Sequence, residues 1–192
     1  KPLVSIILPT YNSDLNFLTQ AVGSVEAQSY SNWQLCIADD ASADQHLKDY
    51  LRELEGTEKF SICYRDTNGH ISAATNSALS MANGEFVTFL DHDDVYESEK
   101  LSCMLAAAER HPHADAIIGP NRMWYSWNKE SHRSNDSPQV LGITTETVLA
   151  PPGMINGFLA NSSRTPLGPL FRTETLKTLG GYDPNFKDMH ED

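Results

Sequence analysis

The stretch that decides the fold is FVTFLDHDD, residues 86–94, in which an apolar run leads directly into acids. Residues 86–90 are apolar or β-branched and follow Gly84, a pattern typical of a β-strand. Ligands of open parallel sheets bind beyond the carboxyl ends of the strands, which is where residues 91–94 would lie. These acids are therefore the first candidates for a functional site.

Strand-and-helix units lie on both sides of this stretch. The earlier predicted strands are Val4–Leu8, Trp33–Ala38 and Phe60–Tyr64. We expect Pro9 to end the first strand, and Asp14 and Asp44 to cap helices after the first two. Further helices are predicted over Ser72–Ala82 and Ser98–Arg110. Alternating strands and helices indicate an α/β fold, with a largely parallel sheet covered by helices on both faces.

The second part of the chain has a less regular pattern. Strands are predicted at Ala116–Ile118, Arg122–Trp127 and Leu170–Phe171, with an exposed loop over Asn128–Pro138. A short helix over Glu174–Leu179 would end at Gly180–Gly181. We predict a single domain over residues 1–192, with a parallel half at 1–115 and a smaller mixed half at 116–192.

The composition is acidic, with 14 Lys and Arg against 26 Asp and Glu among 192 residues and a formal net charge of −12. A surface of this sign repels phosphate backbones, which argues against nucleic acid as a partner. An anionic substrate would need a cation as intermediary. No apolar run approaches the roughly 18 residues that span a membrane, and the chain does not begin with a signal-peptide pattern.

Three cysteines, Cys36, Cys63 and Cys103, lie in apolar patterns without a C-x-x-C pair. This predicts buried free thiols in a reducing compartment. We therefore expect a cytoplasmic protein, or one held at the inner face of the membrane by segments outside this chain.

Acidic and amide side chains follow three of the predicted strands, at residues 9–12, 39–40 and 91–94. Turn chemistry favours such residues at any one strand end, but three together indicate a shared site. If the strand continued through them, Asp91 and Asp93 would project to the same side. Carboxylates about 4 Å apart repel by about 4 kcal/mol at an effective dielectric constant of 20. A bound Mg²⁺ or Mn²⁺ would relieve this repulsion, and a solvated turn is the alternative.

Seven motifs, in order, resemble those of the family-2 inverting glycosyltransferases, which have a GT-A fold. They are VSIILPTYN (4–12), IADDAS (37–42), NGHISAATNSAL (68–79), FVTFLDHDD (86–94), GPLFR (168–172), GGYD (180–183) and HED (190–192). The resemblance implies a metal-dependent, hexosyltransferase-type enzyme of polysaccharide synthesis. It would move a sugar from a nucleotide-sugar, most simply a UDP-sugar, to a glycan or lipid-linked acceptor, with residues 1–115 binding the donor and 116–192 the acceptor.

The resemblance also assigns residues to the donor. Those implied to bind the nucleotide are Pro9, Thr10, Tyr11, Asn12, Asp39, Asp40, Gly69, His70, Asn76, Asp91 and His92. Tyr11 would pack against the base, and Asp39, supported by Asp40, would accept a hydrogen bond from uracil N3–H. Asp93, with Asp91, would hold Mg²⁺ or Mn²⁺ on the diphosphate.

On the acceptor side the resemblance implies Asp192 as general base and Glu191 as the residue that orients the acceptor. Gly168 and Pro169 would lie at the acceptor site. Inverting transfer is one in-line displacement, in which such a base contributes about 10²–10⁴-fold. A metal acting as Lewis acid stabilises the leaving diphosphate.

Two features depart from the family pattern. Thr75 stands where many relatives have Arg before Asn76. Without that Arg, the diphosphate would be bound by the metal, the Gly69–His70 loop and a helix N-terminus. Relatives continue beyond the E-D pair, so we expect a chain that stops at Asp192 to be a fragment.

Several alternatives stay open. His70 is either a surface histidine or a ligand contact, and Trp124 and Trp127 are either packing residues, which we favour, or an acceptor-sugar platform. Nucleotidyl transfer would require a Gly-rich, Arg-containing loop after the first strand, and residues 9–12 are not one. A non-catalytic nucleotide-sugar-binding module of a larger polymerase is the remaining alternative.

Overall fold

The computed structural model describes residues 1–128, 136–139, 146–150 and 168–185. The strands are β1 (Val4–Thr10), β2 (Trp33–Asp39), β3 (Phe60–Tyr64), β4 (Phe86–Phe89), β5 (Ala116–Ile117), β6 (Asn121–Met123), β7 (Ser137–Gln139) and β8 (Leu170–Arg172). The helices are α1 (Leu15–Glu26), α2 (Gln45–Leu54), α3 (His70–Ser80), α4 (Lys100–Arg110) and α5 (Thr173–Leu179), and a 3-10 turn spans Tyr125–Asn128.

Six strands form one sheet in the order β3-β2-β1-β4-β8-β5. The pairs β3–β2, β2–β1 and β1–β4 are parallel, and β8 is antiparallel to both of its neighbours. The predicted α/β fold with a mostly parallel sheet is confirmed, and β3 is an edge strand of that sheet. Because β8 runs the opposite way, the residues just before it lie at the carboxyl ends of the parallel strands.

Helices cover both faces of this sheet. Alternate residues of β1 point to opposite faces, so that Ile6 packs with α1, α2 and α4 while Ile7 packs with α3 and α5. Each fully buried Leu or Ile contributes about 1.5–3 kcal/mol to folding. On the second face the contact is made by Ala74 and Ala78 of α3, whose small side chains let this helix lie close to the sheet. The apolar core therefore fixes the strand ends from both sides.

Both predicted N-caps are confirmed. Asp14 accepts a hydrogen bond from the N–H of Asn16 at 2.7 Å, and Asp44 accepts one from His46 at 2.8 Å. Helix α5 ends at Gly180, whose φ of +82° is the left-handed conformation that favours glycine.

The expectation that Pro9 ends the first strand is wrong, because β1 continues to Thr10. Within β1, Ile7 accepts from Leu90 on the β4 side, and Thr10 accepts from Asp40 on the β2 side. Pro9 lies two residues after Ile7, so its backbone nitrogen also faces the β4 side. On that side the register between β1 and β4 has already ended at Ile7, opposite Phe89. The missing N–H of Pro9 therefore removes no ladder hydrogen bond.

The second half also differs from expectation. The strand predicted over Arg122–Trp127 ends at Met123, where the 3-10 turn follows. Residues 137–139, predicted to be irregular, pair with β6 as a two-stranded ribbon, with Pro138 opposite Arg122. Residues 129–135 of the predicted loop lie outside the described part of the chain.

The three cysteines are free, as predicted, but they are not all buried. Cys36 is buried in β2, Cys63 is half-buried, and Cys103 is exposed. Cys103 lies on the outer face of α4 because Leu101, Met104 and Leu105 occupy the inner face of that helix. Burial, with a smaller contribution from Cys63, raises the pKa of the Cys36 thiol to about 12. Within the described ranges, the structure has no helix with the length and apolarity that a bilayer crossing demands.

Candidate functional site

The carboxyl ends of β1 and β2 place Thr10 next to Asp39. The two residues are register partners, and the N–H of Asp40 donates to the carbonyl of Thr10 at 2.9 Å. Asp39 is buried, with 1% of its surface exposed, and its Oδ1 accepts from the N–H of Ser42 at 3.3 Å. A buried carboxylate that accepts one backbone hydrogen bond can still accept hydrogen bonds from a ligand.

The loops after β1 and β2 are tied to each other through Asn12. Its N–H donates to Ser42 Oγ at 2.8 Å, and its Oδ1 accepts from the N–H of Ala43 at 2.8 Å. Its φ of +46° is left-handed, a conformation that Asn tolerates better than most residues. The preceding Tyr11 is 49% exposed at the tip of the loop. Asn12 thus braces the loop that presents the Tyr11 ring.

A cleft of about 520 Å³ opens beside Asp39. Its lining is polar and charged, and includes Asp39, Ser42, Lys48, Arg52, Tyr64 and Arg65. Lys48 and Arg52 are four residues apart on α2 and so share one face of that helix. The lining does not include Asp91 or Asp93. The cleft therefore lies between α2 and the ends of β2 and β3, and neither the β1 end nor the acids after β4 line it.

Asp40 contacts the chain on the β3 side of the sheet. Its Oδ1 accepts from Arg65 Nε at 2.6 Å, and both of its carboxylate oxygens lie 3.0 Å from the N–H of Gly69. Arg65 also donates to Ser77 Oγ at 2.6 Å. A Cβ on Gly69 would overlap Arg65 Nη2, so the close approach requires glycine. Asp40 and Arg65 thereby fix the loop that opens α3.

Arg65 is a site residue that the sequence analysis missed. It follows directly on β3, so the reasoning that selected residues after β1, β2 and β4 applies to it equally. Arg65 is basic, whereas the strand ends selected from the sequence carry acidic and amide side chains.

His70 is the first residue of α3 and is exposed. Its φ is +65°, and its N–H donates to Asn68 Oδ1 at 3.0 Å. The preceding Gly69 provides no side-chain cap for the helix. Both interpretations of His70, as a surface histidine or as a ligand contact, agree with this position.

Asn76 lies on α3, one turn and a half beyond its start, and contacts the segment after α5. Its Nδ2 donates to the carbonyl of Tyr182 at 2.7 Å, and its Oδ1 accepts from the N–H of Tyr182 at 2.9 Å. The residue was predicted to bind the nucleotide, yet both polar atoms of its amide bond the protein backbone. No local pattern indicates this pairing, because it joins residues 106 positions apart.

The acids after β4 lie in a turn. The strand ends at Phe89, and the N–H of Asp94 donates to the carbonyl of Asp91 at 3.1 Å. The condition for Asp91 and Asp93 to share a side, a strand that continues through them, is therefore not met, because β4 ends before Asp91. Asp93 is exposed. Nδ1 of His92 is buried and has no hydrogen-bond partner among the described residues.

Asp94 is the most perturbed acid of this turn. Burial, and then the charges of Asp91 and Asp93, raise the pKa of its carboxyl to about 6. Burial lowers the pKa of the neighbouring Lys100 ammonium to about 8. That ammonium lies 4.5 Å from the ring centroid of Tyr96, whose hydroxyl donates to the carbonyl of Phe89 at 2.7 Å. Asp94 was a candidate only as part of the run 91–94, and Tyr96 and Lys100 were not singled out from the sequence.

The residues just before β8 lie against this turn. Thr88 Oγ1 donates to the carbonyl of Gly168 at 3.0 Å, and Gly168 has a φ of +55°. A Cβ on Gly168 would lie 2.5 Å from the carbonyl oxygen of Phe89 and 2.9 Å from Lys100 Nζ, so glycine is required there. Gly168 and Pro169 therefore lie at the same sheet edge as the acids. Glu191 and Asp192 lie outside the described residues.

The residues present fit a divalent cation in part. Asp91 and Asp93 carry hard oxygen donors. The pKa of Asp94 is raised first by burial and then by the charges of Asp91 and Asp93, and a cation would offset those charges. Over the described ranges, however, no three His, Cys, Asp or Glu side chains converge into a metal cluster. An ion at this turn would therefore complete its coordination with oxygens of a ligand and water.

Trp124 and Trp127 do not pack in the core, so the favoured interpretation is wrong. They are 43% and 51% exposed, respectively. Trp127 makes one edge-to-face contact with Phe17 of α1, with ring centroids 5.2 Å apart. Trp124 lies between β6 and the 3-10 turn, and Trp127 lies within that turn.

Comparisons with known proteins agree with this architecture. The family model for glycosyl transferase family 2 matches residues 5–177. An uncharacterized glycosyltransferase of Haemophilus influenzae is 36% identical over 104 residues, which are 54% of this chain and 41% of that protein. The Escherichia coli UDP-Glc:α-D-GlcNAc-diphosphoundecaprenol β-1,3-glucosyltransferase WfgD is 33% identical over 105 residues, which are 54% of this chain and 40% of WfgD.

Among solved structures, S. aureus TarS 1-349 in complex with UDP matches with a TM-score of 0.72 and 27% identity. The match covers 96% of this chain and 51% of the TarS chain. The matches to the two curated relatives span less than half of each relative's length. The fold is thus of the GT-A type, and with a family match over 5–177 the chain belongs to glycosyl transferase family 2.

Proposed function

We propose that this chain is the donor-binding and catalytic core of an inverting glycosyltransferase. It moves a sugar from a UDP-sugar to a glycan or lipid-linked acceptor in polysaccharide synthesis, with Mg²⁺ or Mn²⁺ as cofactor. Residues 1–115 bind the donor and residues 116–192 form the acceptor side of one domain. The three free thiols support a reducing compartment, the cytoplasm, for this reaction.

One observation carries the proposal. The carboxyl ends of β2, β1 and β4 and the start of β8 lie side by side, on the side of the sheet where the parallel strands end. Neighbouring strands are about 4.8 Å apart, so the β2 and β4 ends are separated by about 10 Å. A nucleoside diphosphate can extend over such a distance, with its base near Asp39 and its phosphates near Asp91 and Asp93. Gly168 then lies where the acceptor would approach.

The donor's nucleoside would be bound by the first two strand ends. Asp39 is buried and carries accepting capacity, which suits a hydrogen bond from uracil N3–H. Tyr11 is exposed on a loop that Asn12 braces, so its ring is available to pack on the base. TarS was solved with UDP, and WfgD is named for UDP-Glc, which supports a uracil nucleotide.

The diphosphate would lie at the turn after β4. Asp93, with Asp91, would hold the divalent ion, and the ion would supply Lewis-acid stabilisation of the departing diphosphate. The buried Nδ1 of His92, close to these acids, has no hydrogen-bond partner in the described part of the chain, and a ribose hydroxyl could supply one. The Gly69–His70 loop, held in place by Asp40 and Arg65, would approach the donor from the α3 side.

The acceptor hydroxyl would lose its proton to Asp192 while the bond to the anomeric carbon forms. Glu191 would orient this hydroxyl, and Gly168 and Pro169 would shape the approach. Glycine at residue 168 keeps the backbone in contact with Phe89 and Lys100, where a side chain would collide. This is general base catalysis of an in-line displacement, and it requires no covalent nucleophile on the protein.

Donor binding is tested by measuring the melting temperature of the protein with each of a panel of nucleotide-sugars, with and without Mn²⁺. A bound donor raises the melting temperature by mass action. Release of UDP from the donor that binds, in the presence of a glycan or lipid-linked acceptor, examines transfer. We expect UDP-sugars to stabilise the protein most and to be consumed. Stabilisation without UDP release by the full-length protein would favour the non-catalytic module, and the absence of both would reject the proposal.

A further inference from the structure

The segment after α5 has a backbone shaped to meet α3. Gly180 and Gly181 adopt φ values of +82° and +76°, a conformation in which glycine is strongly favoured. A Cβ on Gly181 would lie 2.5 Å from Asn76 Oδ1. The turn therefore brings its backbone so close to the Asn76 side chain that a larger residue at position 181 would displace that side chain.

The contact between Asn76 and Tyr182 has the form of a backbone pair. The amide donates to the carbonyl of Tyr182 and accepts from its N–H, as a neighbouring β-strand would. Two bonds to one residue fix both the position and the orientation of its backbone.

This orientation decides where the Tyr182 ring lies. The ring packs edge-to-face on Phe89, the last residue of β4, with centroids 5.5 Å apart. Burial, and then the negative charge of Asp91, raise the pKa of Tyr182. The ring thus lies beside the start of the acidic turn, and it remains 43% exposed at the sheet edge.

We infer that Asn76 is a positioning residue for sugar transfer and does not serve as a ligand of the nucleotide. Through the Tyr182 backbone it ties α3, on the donor side, to the acceptor-side segment that continues in sequence towards Glu191 and Asp192. The inference rests on the proposed function. Losing the contact should slow the transfer step while UDP binds as before, because the base and the diphosphate are bound by other residues.

The test compares Asn76→Ala with Ser80→Ala, an exposed serine at the end of the same helix, in the full-length protein that contains this domain. We expect Asn76→Ala to lower kcat about 10–100-fold, as misplacement by about 1 Å does, with an unchanged Kd for UDP. Ser80→Ala should match the wild type in both. Asn76→Ala with a weakened Kd for UDP and an unchanged kcat would restore the nucleotide-ligand role and overturn the inference.

A second variant approaches the same contact from its other side. Gly181→Ala places a methyl group against Asn76 Oδ1, so it should lower kcat as Asn76→Ala does. In the double variant the clash partner is gone, and kcat should fall no further than in the worse single variant. Multiplicative effects would show that the two residues act independently, which also overturns the inference. If the wild type transfers no sugar, the proposed function fails and this inference falls with it.

Discussion

Arg65 Nε donates to Asp40 Oδ1 at 2.6 Å, and this ion pair joins the end of β3 to the end of β2. The Asp40 side chain is only 3% exposed, whereas Arg65 is 26% exposed. The same carboxylate accepts from the N–H of Gly69, so the pair and the loop before α3 form one hydrogen-bonded unit. Removing either charge would leave the other without its partner at the sheet edge.

We predict that Arg65→Met destabilises the protein by about 3 kcal/mol, because it leaves a buried carboxylate uncompensated. Urea unfolding measures this change. The matched control is Arg52→Met, whose ion pair with Asp49 is more than half exposed and should contribute less than about 1 kcal/mol. The double variant Arg65→Met with Asp40→Asn should recover part of the loss. Equal destabilisation by the Arg65 and Arg52 variants would contradict a structural role for the buried pair.

The sequence predicted the fold because its signals were local. The apolar runs of β1, β2 and β4 and the caps Asp14 and Asp44 each depend on a few neighbouring residues. The strand ends followed from these, so Asp39 and Thr10 could be placed at one edge before their register was known. Local pattern was sufficient wherever an element was decided by burial or by a cap.

Long-range contacts were beyond this reasoning. The pairing of Asn76 with Tyr182 joins residues far apart, and an asparagine on a helix gives no sign of its partner. The sequence does not show where β4 ends, so the strand geometry considered for Asp91 and Asp93 could be stated only as a condition. Likewise, the aromatic composition gives no sign of the 3-10 turn after β6 or of the exposure of Trp124 and Trp127.

Asp39→Asn should weaken UDP binding about 10–100-fold. The substitution replaces one acceptor oxygen by a donor, so the hydrogen bond to uracil N3–H, about 1.5–3 kcal/mol to a charged acceptor, is lost. Cytosine accepts at N3, so the preference for UDP over CDP should also narrow. Calorimetric titration with both nucleotides measures this. Asp66→Asn, an exposed acid lining the same cleft, is the control, and an unaltered UDP-to-CDP ratio in Asp39→Asn would refute the contact.

Asp93→Ala should abolish the effect of Mn²⁺ on UDP binding. In the wild type we expect Mn²⁺ to tighten UDP binding at least about tenfold, since the ion would join an acidic protein to an anionic ligand. Titrations with Mn²⁺ and with a chelator give the ratio of the two Kd values. Glu97→Ala, an exposed acid three residues after Asp94, should keep the wild-type ratio. A wild-type Kd that chelator leaves unchanged would reject the metal site.

Asp94→Asn should stabilise the metal-free protein at pH 7.5. The carboxyl ionises near 3.8 when unfolded and at about 6 when folded, so between these values only the folded state holds the proton. Above pH 6 the folded state carries the full penalty of the buried charge, about 3 kcal/mol for a shift of about two pKa units. The advantage of Asn should therefore shrink as pH falls from 6 to 3.8. Urea unfolding in chelator at pH 4.5 and 7.5 checks this, and a gain that is larger at pH 4.5 would contradict the sign.

Asp192→Asn separates chemistry from binding. An amide cannot accept the acceptor's proton, so kcat should fall about 10²–10⁴-fold while the Kd for UDP stays at its wild-type value. The experiment uses the full-length protein, with UDP release as the rate measurement and calorimetry as the binding measurement. Glu174→Gln, an exposed acid in the first turn of α5, removes the same charge without touching the site and should transfer normally. Undiminished turnover in Asp192→Asn would assign the base to another residue, whereas parallel loss of turnover and UDP binding would show that Asp192 supports the donor site instead.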